Sequence, residues 1–222
     1  MQKLLDGIHK FRTEHFPHHR DFFERLGKGQ RPQALLITCS DSRINPNLVT
    51  QTEPGELFLV RNVGNVVPPH GTPSGEAAAI EYAIGALGIR DIIVCGHSGC
   101  GAMNALIHPE QLERLPATRS WLSHAEASRR IVEDNYAHVE EPARRQMIAT
   151  EENVLVQIEN LRTLPSVASA LSRGELAVHG WVYKIETGEV FGYEASSNQF
   201  ELIDTARPME PAIEPRRRVA GS

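Results

Sequence analysis

Three short apolar runs, each followed at once by polar residues, constrain the fold of this chain most strongly. They cover residues 34–38, 57–60 and 92–95. Their length suits strands that are buried on both faces, and the polar residues suit loops beyond the strand ends. Between the second and third runs, Ser74 can cap an amphipathic helix that Gly88 would close. This order predicts an α/β fold with a mostly parallel central sheet flanked by helices.

The N-terminal part of the chain has an amphipathic helical pattern. Apolar residues recur at helical spacing over residues 4–26, and Pro17 should break or kink the helix because it lacks a backbone N–H. We therefore expect an N-terminal helical arm over residues 1–26. Further along, residues 116–164 have a largely helical pattern, and residues 178–185 predict one more strand.

Length and composition are those of an ordinary soluble globular protein. The chain has 222 residues, 41% of them apolar, and a formal net charge of −5, which gives no indication of nucleic-acid binding. No apolar run approaches the roughly 18 residues that cross a bilayer, and the first residues lack the apolar core of a secretory signal. Three cysteines suit a reducing compartment better than a disulfide framework. We expect a cytoplasmic protein without membrane or nucleic-acid partners, with one domain over residues 1–206 and a flexible tail over 207–222.

Residues of the kind that bind metals lie in two of the loops that follow the strands. The first loop carries Cys39, Asp41 and Arg43, and a later loop carries His97 and Cys100. Two thiolates and one imidazole suit zinc, and three protein ligands leave a fourth position open, as in catalytic sites. Ligands of parallel sheets gather beyond the carboxyl ends of the strands, and both loops are expected there.

The residues of these two loops also allow other interpretations. Cys39 and Cys100 could be buried thiols, but the glycines and polar residues around them favour a metal site. Cys95 lies within an apolar run and keeps the buried-thiol interpretation. Asp41 and Arg43 could form a mere surface ion pair. In a functional site, Asp41 could bind the metal itself, or Arg43 could hold it in position to accept a hydrogen bond from a water on the metal.

A serine nucleophile is a rival interpretation that fails on one residue. Residues 96–100 follow a strand, as the nucleophile elbow of serine hydrolases does. Cys100 replaces the last glycine of that motif, so Ser98 is not expected to act as a nucleophile.

With these motifs, the chain resembles the β-class carbonic anhydrases, whose hallmark is Cys-x-Asp-x-Arg followed downstream by His-x-x-Cys. The two motifs stand here at residues 39–43 and 97–100. The similarity extends to residues 54–58, 61–65 and 179–181 and so covers most of the chain. It implies a zinc enzyme that hydrates carbon dioxide reversibly to bicarbonate and a proton.

The resemblance also implies a role for individual residues. Zinc would be held by Cys39, His97 and Cys100, and Asp41 with Arg43 would form a dyad that assists attack by zinc-bound hydroxide. Substrate-binding positions of the plant-like subgroup are matched by Gln30, Phe58, Val63 and Tyr82. Leu36 stands where relatives with an allosteric bicarbonate site carry tryptophan, so no such regulation is expected.

An oligomer is a further expectation. Leu4, Ile8 and Phe11 are apolar, and a kink at Pro17 makes packing on the arm's own domain awkward, so the arm could cover a neighbouring subunit or fold back on its own sheet. The resemblance favours a homodimer or a higher multiple of dimers, in which a second subunit completes the substrate pocket.

Two alternative functions use the same motifs. One is a structural zinc protein or a catalytically silent binding protein of this fold, which closure of the site by Asp41 as a fourth ligand would favour. The other is a hydrolase of a carbon dioxide analogue such as carbonyl sulfide. Retention of Arg43, Gln30 and Tyr82 argues against a purely structural site, which needs no pocket.

Overall fold

A computed structural model describes residues 1–204, 206 and 210–213 of the chain. It contains two compact units, Met1–Arg31 and Pro32–Ser222. Most of the tail predicted at 207–222 lies outside the described residues. Within its described part, Ile213 forms an antiparallel bridge with Val178.

The N-terminal unit is helical and irregular in its middle. Its elements are α1 (Gln2–Lys10), a π-helical turn (Phe11–His15), α2 (Phe16–His18) and α3 (Arg20–Leu26). The π-helical turn comes just before Pro17, whose missing N–H prevents a regular helical hydrogen bond. The chain leaves helical geometry again at His19, with φ of −120°. The predicted helical arm with a break near Pro17 is confirmed.

A six-stranded sheet forms the centre of the second unit. Its strands are β1 (Ala34–Cys39), β2 (Leu57–Asn62), β3 (Asp91–His97), β4 (Ala177–Tyr183), β5 (Val190–Glu194) and β6 (Gln199–Leu202). They lie in the order β2-β1-β3-β4-β5-β6. The first four strands pair in parallel, and β5 and β6 complete the edge in antiparallel pairing. The predicted mostly parallel sheet is confirmed, with an antiparallel edge that the sequence did not predict.

Helices flank this sheet. They are α4 (Pro46–Thr50), α5 (Gly75–Gly85), α6 (Gly101–Ile107), α7 (Pro116–Leu122), α8 (Glu126–Asn135), α9 (Pro142–Thr163) and α10 (Pro165–Ser172). The Ser74 hydroxyl accepts a hydrogen bond from the Ala77 N–H at 3.1 Å, so the predicted cap forms, although α5 ends at Gly85 and not at Gly88. No helix among the described residues is long and apolar enough to cross a membrane.

The long helix α9 lies very close to β3 and β4. A Cβ atom on Gly96 would come within 2.7 Å of Thr150 Cγ2, and one on Gly180 within 3.0 Å of Val154 Cγ1. Distances this short leave no room for a side chain. The two glycines therefore let α9 support the end of β3 that carries His97.

The register brings the carboxyl ends of three strands together. Cys39 at the end of β1 pairs with Asn62 at the end of β2, and Thr38 pairs with Cys95 of β3. Side chains that follow these strands therefore share one edge of the sheet, where ligands of parallel sheets usually bind.

Candidate metal centre

The three residues predicted as zinc ligands come together at this edge. Cys39 ends β1, His97 ends β3, and Cys100 is the N-cap residue of α6. One ligand atom from each residue lies within 4.8 Å of the others. All three residues are buried, with 6%, 0% and 1% of their surface exposed. Among the described residues, this is a compact group of two sulfur donors and one nitrogen donor.

The hydrogen bonding of His97 leaves one ring nitrogen available. Nδ1 lies 2.8 Å from the Ser98 carbonyl oxygen, which can only accept, so Nδ1 carries the hydrogen. Nε2 then has a lone pair, and it is buried without a hydrogen-bond partner among the described residues. A buried polar atom without a partner is costly, and a metal ion in the ligand group would satisfy it.

The pKa values of the two ligand thiols are shifted in opposite directions. The pKa of Cys39 is lowered to about 4, first by a hydrogen bond from Cys100 and further by the Gly64 N–H, which lies 3.4 Å from Cys39 Sγ, while burial opposes the change. The pKa of Cys100 is raised by its hydrogen bond to Cys39 and by burial. These shifts favour the thiolate form of Cys39, which is the form in which cysteine binds a metal.

The third cysteine, Cys95, lies outside this group. It is buried in β3, and burial is the main reason that its pKa is raised to about 12. Cys95 is therefore a neutral thiol in the core, as its position in an apolar run indicated.

Asp41 and Arg43 form a bidentate pair beside the ligand group. Asp41 Oδ1 accepts from the Arg43 backbone N–H at 2.9 Å and from Nε at 3.0 Å, and Oδ2 accepts from Nη2 at 2.7 Å. These hydrogen bonds hold the pKa of the Asp41 carboxyl well below its usual range, so it is a carboxylate at neutral pH. Oδ2 lies 3.9 Å from His97 Nε2. The bidentate contact from Arg43, which one of the two arrangements of Asp41 requires, is therefore present.

Arg61 has a position in the site to which sequence reasoning gave no role. Its Nε donates to the Cys39 carbonyl oxygen at 3.1 Å, and its Nη2 donates to the Asp41 carbonyl oxygen at 2.8 Å. It therefore fixes the backbone that presents both a ligand and the carboxylate. The available signal was the place of Arg61 near the end of the second apolar run, directly before the polar loop.

Buried amides of α9 support the loop after β2. Asn153 Nδ2 donates to the Gly64 carbonyl oxygen at 3.0 Å, and Gln157 Oε1 accepts from the Val67 N–H at 2.8 Å. The two amides are joined by a hydrogen bond of 2.9 Å. This network orients the loop whose Gly64 N–H reaches Cys39. Its signal in the sequence was a pair of polar residues, four apart, on the apolar stripe of a helix.

The predicted substrate positions are not all near the metal centre. Val63 lies in the loop beside Gly64 and is exposed. The rings of Phe58 and Tyr82 are neighbours, with centroids 6.1 Å apart. Phe58 is level with Leu35, however, four residues before Cys39 and therefore about 13 Å along the strand from it. Gln30 is exposed and belongs to the N-terminal unit.

Comparisons with known proteins identify the family of this chain. A family model described as carbonic anhydrase matches residues 34–190. A carbonic anhydrase of Synechocystis is 52% identical over 202 residues, which are 90% of this chain and 73% of that protein.

Solved structures point the same way. The β-carbonic anhydrase CcaA is similar with a TM-score of 0.89 and 51% identity, over 91% of this chain and 99% of that one. A structure reported with two tetrameric β-carbonic anhydrases from Sordaria macrospora is similar with a TM-score of 0.79 and 27% identity, over 86% and 95% of the two chains. Family, fold and the buried Cys-His-Cys group agree, and the chain belongs to the β-class carbonic anhydrases.

Proposed function

We propose that this carbonic anhydrase works with zinc held by Cys39, His97 and Cys100. The observation that carries the proposal is the group itself, in which three buried ligand atoms lie within 4.8 Å of one another and His97 Nε2 has no other partner among the described residues. Two sulfur donors and one nitrogen donor suit zinc better than magnesium, calcium or manganese, which prefer oxygen. Three protein ligands leave a fourth position for the reaction.

The Asp41 carboxylate is proposed to orient the nucleophile. When bound, zinc supplies the Lewis acidity that makes hydroxide available near neutral pH. Oδ1 of Asp41 already accepts two hydrogen bonds from Arg43, whereas Oδ2 accepts one. An ionised carboxylate oxygen can accept two, so Oδ2 retains a lone pair for the O–H of the attacking hydroxide. Accepting that hydrogen bond turns an oxygen lone pair of the nucleophile toward carbon dioxide.

Arg43 is proposed to keep Asp41 in this role. Its Nη2 donates both to Asp41 Oδ2 and to the Gly99 carbonyl oxygen, at 2.7 and 2.9 Å, which fixes the guanidinium between the two ligand loops. A carboxylate that is paired with arginine in this way is less available to bind the metal as a fourth ligand. This supports the catalytic proposal over a structural zinc site, in which four protein ligands would close the coordination sphere.

The first test of this function is metal content measured together with turnover. We expect purified protein to carry about one zinc per chain, because three ligand atoms converge at one place. A stopped-flow assay with a pH indicator should record carbon dioxide hydration well above the uncatalysed rate. Protein without zinc would contradict the ligand assignment, and zinc-loaded protein without turnover would favour the silent zinc protein.

We also propose a homodimer, or a multiple of dimers, in which the second subunit completes the substrate pocket. No residue of Met1–Arg31 is buried, and exposed apolar side chains include Leu4, Ile8 and Phe11. Phe58 lies about 13 Å from the level of Cys39, measured along the strand direction, and its ring neighbours that of Tyr82. Both side chains could therefore line the substrate pocket of a neighbouring subunit. The tetrameric enzymes of Sordaria macrospora give support from the family.

Deletion of residues 1–26 is expected to dissociate the assembly and lower activity, while zinc stays near one per chain. The reason is that the exposed apolar arm would lose its place on a second subunit, whereas no ligand is removed. Sedimentation velocity at the assay concentration measures the first effect. Ile8→Asp should weaken assembly in the same direction, and Leu115→Asp, at an exposed leucine outside the arm, should not. A fully active monomer would contradict the proposal.

A further inference from the structure

We infer that Ser98 and Glu186 are positioning residues, which together fix the orientation of His97 and of the Arg43 clamp. This inference rests on the proposed zinc function. Neither Ser98 nor Glu186 belongs to the Cys-His-Cys group.

The Ser98 hydroxyl connects the loop between β3 and α6, which carries Cys100, to the turn between β4 and β5. It donates to Glu186 Oε2 at 2.5 Å and accepts from the Ile185 N–H at 2.9 Å. The Ser98 backbone N–H donates to the Tyr183 carbonyl oxygen at 2.9 Å. Ser98 is itself buried, and its hydroxyl has both a donor and an acceptor in place.

Two successive carbonyl groups of the loop hold the two parts of the site. The Ser98 carbonyl oxygen accepts from His97 Nδ1 at 2.8 Å, which leaves the Nε2 lone pair for the metal. The next carbonyl, that of Gly99, accepts from Arg43 Nη2 at 2.9 Å. Gly99 has φ of +62°, a left-handed conformation that favours glycine. The orientation of this short segment therefore sets the imidazole and the guanidinium at the same time.

Without the Ser98 hydroxyl, the segment of Ser98 and Gly99 would lose its side-chain contacts with the turn between β4 and β5. The backbone hydrogen bond to Tyr183 would remain, but the Ile185 N–H would lose its acceptor and Glu186 its donor. A small rotation of the Ser98 and Gly99 peptides would then lengthen the hydrogen bonds to His97 and to Arg43. Groups that orient metal ligands in this way typically change metal affinity or activity by about 10- to 100-fold when they are removed.

Glu186 is the exposed end of this connection. The pKa of Glu186 is lowered, first by the hydrogen bond from Ser98, and Lys184 and Arg43 act in the same direction at longer range. The hydrogen bond from Ser98 therefore favours the charged form of the Glu186 carboxylate. An amide oxygen at this position could still accept from Ser98, so Glu186→Gln separates the hydrogen bond from the charge.

The test compares zinc release and steady-state kinetics in variants of the zinc-loaded protein. Ser98→Ala is expected to release zinc to an excess of chelator about tenfold faster than wild type and to lower kcat about tenfold, with KM unchanged within about twofold. The substrate pocket is untouched, which is why kcat should move without KM. Ser98→Thr retains the hydroxyl and should restore both values. Glu186→Ala should change both in the same direction as Ser98→Ala, and Glu186→Gln should stay near wild type.

Thr187→Ala is the matched control in the same turn. The Thr187 hydroxyl donates to Glu189 at 2.7 Å and has no hydrogen bond to Ser98. Release and kcat within twofold of wild type in Ser98→Ala, or an equal change in Thr187→Ala, would overturn the inference. Wild-type protein is measured alongside. If it lacks zinc or turnover the proposed function fails, whereas a loaded, active wild type with an unaffected Ser98→Ala variant refutes only the positioning role.

Discussion

Cys100→Ala is expected to abolish zinc binding and carbon dioxide hydration together. The variant retains only Cys39 and His97, and two buried ligands cannot hold zinc against solvent as three can. We expect less than about a tenth of the wild-type zinc content after dialysis, by elemental analysis. Activity should fall in proportion to the lost metal. Cys39→Ala and His97→Ala are expected to behave in the same way.

The fold should survive this change. The backbone carbonyl of Cys100 accepts from Gln146 Nε2 at 2.8 Å, and alanine keeps that hydrogen bond. Cys95→Ala is the matched control, because Cys95 is also buried but lies outside the ligand group. It should retain its zinc and most of its activity, with at most a modest loss of stability. Full zinc occupancy in Cys100→Ala would remove Cys100 from the metal site.

The central strands could be predicted from the sequence because they are buried on both faces of the sheet. β1 is buried along its whole length, and β3 is buried along nearly all of it, so their residues form unbroken apolar runs. The antiparallel edge gave no such signal. β5 and β6 are both short, and most of their residues are only partly buried or exposed, so neither strand forms a long apolar run. Edge strands of this kind form by pairing with a neighbouring strand, and the sequence alone does not show which strand that is.

In the candidate site too, some residues could be predicted from the sequence and others could not. Ligand residues were recognisable because each side chain carries its own chemistry and follows a predicted strand. The groups that orient them were not, because they act through the backbone: the Gly64 N–H reaches Cys39, and Arg61 binds two carbonyl oxygens. Such contacts depend on the close approach of segments distant in the chain. The position of Phe58 relative to Cys39 likewise follows from strand register, which the motif alone did not give.

Asp41→Asn is expected to leave zinc bound and to lower turnover on the order of 100-fold, the scale of loss when a positioned proton acceptor is removed. Asp41 is not a member of the ligand group, so metal content should not change. In the variant, one oxygen of the carboxylate becomes an NH₂ group. If this group takes the place of Oδ1, it opposes the backbone N–H and Nε donors of Arg43. If it takes the place of Oδ2, it opposes the Nη2 donor and donates toward the nucleophile where Oδ2 accepted.

The pH dependence distinguishes this effect from simple protonation. Arg43 holds the pKa of Asp41 well below its usual range, so in the wild type the carboxylate stays ionised from about pH 5 upward. The deficit of the variant should therefore persist at every pH from 5 to 9 and not vanish at the alkaline end. Arg43→Ala should resemble it, since Asp41 would lose the clamp that orients it.

Asp91→Asn is the matched control, a carboxylate-to-amide change at the opposite end of β3. Asp91 interacts with His179 at 3.1 Å and lies six residues before His97, far from the metal group. It should retain zinc content and kcat within about twofold of wild type, because no group near the reaction changes. Asp41→Asn with near-normal kcat would show that Asp41 is a bystander. Loss of zinc from that variant would instead make Asp41 a support of the metal, since its carboxylate would then be needed to retain the ion.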